Sequence, residues 1–249
     1  MVFSSSRPGG QWHVTVRSGW QGEIELHGKK WEMTVLDNMD GIIGAGDMLY
    51  LFPEGERYSE YTGFSFIYRI PMTERLFLDG HEYDLGFRFE TDIGNTKALA
   101  VTFTEIDPQM GTLSIEGKSI KRLFMYDYAS KRRNTVILDS PGSAVSIPAG
   151  FYWSYRVVLE ENDSPGAFYT DRSQKVYVDT NKTISLKIGG PLNNEVTVSR
   201  EGMYLSMRYR LVGIGKEEYH RQNENQKITP TFSVYSGDRK IGYGLFRYG

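Results

Sequence analysis

The residues best placed to do chemistry lie in one loop, Asp37-Asn38-Met39-Asp40-Gly41-Ile42-Ile43-Gly44-Ala45-Gly46-Asp47, where three carboxylates fall within eleven residues. A calcium ion takes six to eight oxygens, and acidic side chains spaced around a glycine turn can supply them. With Gly41 as the sharp-turn glycine of an EF-hand-like loop, Asn38, Asp40 and Asp47 fall on side-chain ligand positions, and Ile42 offers its carbonyl. Leu36 stands at the first ligand position, so Asp37 beside it would serve in a shortened loop. The expected cofactor is Ca2+, held by Asp37, Asn38, Asp40, Ile42 and Asp47. The alternative is an Asn/Asp/Gly-rich turn with no metal.

Other candidates fail on spacing. Gly117-Lys118-Ser119 has Thr112 where a phosphate loop needs a glycine, and the residues after it read as a strand rather than a helix. Asp139-Ser140-Pro141-Gly142 and Asp179-Thr180-Asn181 lack the Asp-Thr/Ser-Gly tripeptide of paired-aspartate proteases. His13, His27, His81 and His220 show no metal-ligand spacing, and at least two of them sit in turns. Lys118, Lys121, Arg122, Lys131, Arg132 and Arg133, interleaved with Phe124, Tyr126 and Tyr128, could bind a polyanion. They could equally form a solvated hairpin. Nucleic acid is not an expected partner, because the net charge is −2. With no cysteine, a disulfide scaffold, a thiolate zinc site and a cysteine nucleophile are excluded.

The elements that must carry these residues read as strands. Hydrophobic side chains recur at every second position in Trp31-Met33-Val35, Tyr83-Leu85-Phe87-Phe89, Leu99-Val101-Phe103, Phe151 to Leu159 and Met203 to Leu211. That pattern gives strands one buried and one wet face. Leu26 to Trp31, Leu78 to Tyr83, Glu116-Gly117-Lys118 and Ser236-Gly237-Asp238 read as hairpins. Two of these units share a loose form of strand, glycine turn, aromatic and strand, at Gly22 to Leu36 and Arg75 to Phe89. No stretch reads as a capped helix, and Gly215 to Lys227 reads as a long loop. The fold class expected is all-β: two antiparallel β domains, the second an immunoglobulin-like β-sandwich with Trp153, Tyr155, Leu186, Leu205 and Tyr209 in its core.

Charge suggests the boundary. Residues 1–108 carry 9 Lys+Arg against 17 Asp+Glu, net −8, and residues 109–249 carry 20 against 14, net +6. The turn-rich Asp107 to Gly111 marks the change, giving an acidic domain over 1–108 and a basic sandwich domain over 109–249. Opposite charges on two halves can attract between molecules, so self-association head to tail is expected. A polysaccharide is the other expected partner. No apolar run reaches the roughly 20 residues of a membrane helix, and Met1 to Gly10 holds no apolar signal core.

Gly22 to Trp31, the strand to Leu36, the Asp37 to Asp47 loop with Met48 to Phe52, and Phe77 to Tyr83 resemble a module of uncharacterised exported bacterial proteins. Val145-Ser146-Ile147-Pro148-Ala149-Gly150-Phe151-Tyr152 is similar to a turn of immunoglobulin-like and prealbumin-like sandwiches, and Gly244 to Gly249 resembles the end of the same unit. The resemblance implies export, to the periplasm or beyond, and a β-sandwich, but no activity. A cytoplasmic location is the alternative. The function expected is a non-enzymatic extracellular or cell-envelope binding or scaffolding protein that can self-assemble. The alternative is a carboxylate-dependent hydrolase of a glycan or peptide.

Overall fold

A computed structural model describes residues 2–6, 13–38, 40, 42–44, 47–54, 69–91, 97–127, 133–159, 168–172, 174–221 and 230–246. The chain is all-β, with no helix among these residues. The first sheet is a five-stranded antiparallel meander of β1 (Val2–Ser6), β2 (His13–Leu26), β3 (Lys29–Asp37), β4 (Met48–Pro53) and β5 (Arg69–Pro71). A second sheet has eight strands. From one edge they are β20 (His220–Arg221), β15 (Phe168–Arg172), β14 (Ser154–Leu159), β10 (Ile120–Asp127), β11 (Asn134–Asp139), β6 (Arg75–Leu78), β7 (His81–Thr91) and β8 (Lys97–Ile106). Its strands are antiparallel except for the parallel pair β11–β6. A third sheet, β12 (Ala144–Pro148), β9 (Met110–Glu116) and β17 (Thr183–Lys187), has β17 parallel to β9.

Alternate residues of the eight-stranded sheet point into two different cores. Phe77, Leu123, Met125, Val136, Leu138, Tyr155, Val157 and Leu159 join Leu113, Ile115, Ile147 and Leu186 of the third sheet. Leu76, Leu78, Phe124, Tyr126, Ile137 and Val158, their sequence neighbours, join Trp31, Met33, Val35, Leu49, Leu51 and Ile70 of the first. The eight-stranded sheet is therefore the middle of three layers. This corrects the expectation of one wet face for Phe151 to Leu159: β14 is buried on both faces, with Arg156 at 7% exposure. Hydrogen bonding also runs across the expected 108/109 boundary, since β6 pairs with β11.

Two expected hairpins form with mirror-image turns. His27 and Gly28 have φ of 50° and 76°, and Asp79 and Gly80 have 53° and 88°, the double positive φ of a type I′ turn. A third, at Ser236 to Arg239, joins β21 (Thr231–Ser236) to β22 (Arg239–Leu245). Glu116-Gly117-Lys118 is not a hairpin, because β9 and β10 belong to different sheets. One hairpin was not foreseen: β18 (Asn193–Glu201) and β19 (Tyr204–Val212) turn at Gly202.

The core expectation holds for Tyr155 and Leu186 and fails for Trp153 and Leu205, which are 37% and 57% exposed. Trp153 is the break between β13 (Gly150–Tyr152) and β14, where its N–H donates to the Tyr126 carbonyl. Leu205 lies on the two-stranded β18–β19 sheet, and Tyr209 on the same strand is half-buried. The remaining two-stranded sheet pairs β13 with β16 (Val176–Val178).

Candidate functional site

The acidic loop connects β3 to β4, so its geometry is set by the strands it closes. Asp47 is 1% exposed. Its carboxylate accepts the Asn38 N–H at 2.9 Å on one oxygen and the Gly44 N–H at 2.7 Å on the other. Its own N–H donates to the Gly44 carbonyl, and its carbonyl accepts from Met72 N–H at the start of the chain toward β6. Asp40 is exposed and accepts the Ile42 N–H at 2.9 Å, while Asn38 Oδ1 accepts the Asp40 N–H at 2.9 Å. Asp37 is buried at the end of β3, and Ile42 is 72% exposed. Met39, Gly41, Ala45 and Gly46 lie outside the described residues. The ligand set named from sequence is thus brought into one loop, with Asp47 and Asp40 engaged by backbone amides.

The basic stretch takes a different form from the surface it suggests in sequence. Phe124 and Tyr126 are buried, and so is Arg122. Arg122 pairs with Asp139 across β10–β11 and reaches the Leu51 carbonyl of the first sheet at 3.4 Å. Arg156 donates to the Arg69 carbonyl at 2.8 Å, and the two guanidinium groups flank the Phe124 ring at 5.8 and 6.0 Å. Both arginines tie the middle layer to the first. Tyr128, Lys131 and Arg132 lie outside the described residues. Asp139 and Asp179, weighed as protease aspartates, are held by Arg122 and Lys182.

Two features were missed in the sequence. Among the described residues, one group of three metal-ligating side chains comes together, His27, His81 and Glu105, with ligand atoms all within 4.8 Å of one another. They stand on the β2–β3 turn, the start of β7 and the end of β8: the pairing of β7 with β8 sets His81 beside Glu105, and the stacking of layers brings His27 to them. The similar form of the two hairpin units was the one available signal.

The second feature is exposure. On β18–β19, Val196, Val198, Met203, Tyr204 and Leu205 are 50–93% exposed, and on β21–β22 so are Tyr235, Ile241, Tyr243 and Leu245, at 59–82%. The two hairpins meet through Phe246, whose ring lies 5.4 Å from Tyr209 and 5.1 Å from Phe232. Alternation in Met203 to Leu211 predicts a covered face, and the pattern is the same whether the cover is intramolecular or not.

No protein-family model, curated protein or solved structure matches the chain.

Proposed function

We propose that the protein is a non-enzymatic scaffold of the cell envelope or extracellular space that assembles with further copies of itself through its two C-terminal hairpins. The observation that carries this reading is the exposure of nine large apolar side chains on β18–β19 and β21–β22. A two-stranded hairpin is at best marginally stable alone in water. Large apolar side chains exposed in such number mark a region that a partner covers. A second copy is the favoured occupant, because the net −8 of residues 1–108 complements the net +6 of residues 109–249 that carry the hairpins.

A sandwich in the second half fits this role. The order β12-β9-β17, with its parallel β9–β17 pair, lies across a shared core from β15-β14-β10-β11. The Tyr152 hydroxyl donates to the Pro148 carbonyl four residues upstream at 2.7 Å, a corner of the kind sandwich domains use. These features support the immunoglobulin-like or prealbumin-like sandwich, and with it the exported location implied by the same resemblance.

Sedimentation velocity across a concentration series, at low and high salt, tests the assembly. The expected result is a concentration-dependent rise in mass that weakens with salt and is lost in Tyr204→Ser/Leu205→Ser. A monomer under every condition overturns it.

A further inference from the structure

The two type I′ hairpins meet tip to tip. Lys29 of the first pairs with Asp79 of the second at 2.6 Å. Beside this ion pair the rings of His27 and His81 stack, with centroids 3.5 Å apart and planes at 13°. Glu105 bridges them, one oxygen 2.7 Å from His81 Nδ1 and the other 3.3 Å from His27 Nε2. The carboxyl of Glu105 is held below the ordinary carboxylate range, chiefly by the His81 hydrogen bond, so it is ionised at neutral pH. His27, at φ 50°, is fixed in the turn by backbone geometry rather than by burial.

We infer that His27, His81 and Glu105 form a binding site for a divalent transition-metal ion of the zinc type, which braces the first sheet against the middle one. Two imidazole nitrogens and one carboxylate are the donor set that zinc and its neighbours take in three-ligand sites, with a fourth position left to water. Calcium and magnesium, which prefer oxygen, are excluded by the same chemistry. Zinc–nitrogen bonds of about 2.0–2.1 Å lie in the plane of each ring. Parallel rings cannot both aim a lone pair at one ion, so binding must open the stack. The side chains are 36–50% exposed, which leaves them room to turn. The ion would replace Glu105 as the link between the two rings and keep the carboxylate as its third ligand.

Isothermal titration of the untagged chain with Zn2+, after chelator treatment, tests the site. The expected result is one-to-one binding, a higher thermal unfolding midpoint with Zn2+ than with chelator, and neither effect from Ca2+ or Mg2+. His27→Ala, His81→Ala and Glu105→Gln should each remove the midpoint shift, and His220→Ala should keep it. Electron paramagnetic resonance of the Cu2+-loaded wild type should report two coordinated imidazole nitrogens, a reading independent of how well any variant folds. No heat of binding, one or no imidazole nitrogen, or a Zn2+ shift that survives in the His27→Ala/His81→Ala double variant overturns the assignment.

Discussion

Glu82 is 2% exposed where β7 passes β6 and β11. One carboxylate oxygen accepts the Asn134 side-chain N–H at 2.6 Å, and the other lies 4.0 Å from Arg75 with no hydrogen bond. Burial outweighs these partners and raises its pKa. The folded state therefore holds the proton more tightly than the unfolded chain does, and that contribution to stability is lost as pH rises through the raised pKa. Compared with Glu82→Gln, the wild type should gain stability as pH falls from neutrality toward the ordinary carboxylate range, read from paired urea midpoints. Asp47 behaves differently, as a loop pin. Asp47→Ala leaves the Asn38 and Gly44 amides without their acceptor and should cost about 2–3 kcal/mol, to the same extent with Ca2+ as with chelator. If wild-type unfolding shifts upward in Ca2+ and Asp40→Ala removes the shift, the loop holds calcium instead. The loop's composition was legible because its residues are contiguous. The histidine–glutamate cluster was not, because His81 meets Glu105 through the pairing of β7 with β8 and His27 reaches them only through the packing of the first sheet on the middle one.

Glycine decides the hairpin turns, and along the strands its need depends on the space beside it, from Gly111, where a Cβ would meet the Asp179 carbonyl, to the open Gly22. Gly80 has φ 88°, where any side chain is strained, whereas a Cβ on Gly22 meets nothing within 4 Å and its backbone is ordinary. Gly80→Ala should cost about 1 kcal/mol, and Gly22→Ala, within β2, should be neutral or stabilise by about 0.5 kcal/mol. Chemical denaturation of the two variants measures both. Most strands were legible from period-two alternation together with Gly-containing turns such as His27-Gly28 and Asp79-Gly80. What alternation could not give is the cover on each side. Leu123 to Tyr126 and Val136 to Leu138 are continuous apolar runs, the mark of strands buried on both faces. The alternating Met203 to Leu211 belongs instead to a hairpin whose apolar residues are largely exposed.

In the whole molecule, stability is graded from the middle layer outward. Leu123, Met125, Val136 and Val157 are fully buried, and Leu123→Ala should cost about 2–5 kcal/mol. Hydrogen exchange should follow the same gradient: slowest in β10, β11 and β14, fastest in β18–β19 and β21–β22 of the isolated chain. Protection of the two hairpins should rise with concentration if copies associate through them. The all-β class was legible from composition and pattern. The three-layer stack was not, because the strand that joins the halves, β6, is only four residues long and pairs with a strand that begins 56 residues after it ends.

That layering also fixes an order of events during synthesis. The last strand of the first sheet ends at Pro71, yet the side chains that cover Trp31, Val35, Leu49 and Leu51 include Phe124, Ile137 and Val158. A ribosome adds about 5–20 residues per second, so the nascent sheet waits several seconds with its greasy face bare. A chaperone that clamps apolar strands would find its substrate in that interval, and lose it when β14 leaves the exit tunnel and docks beside β10.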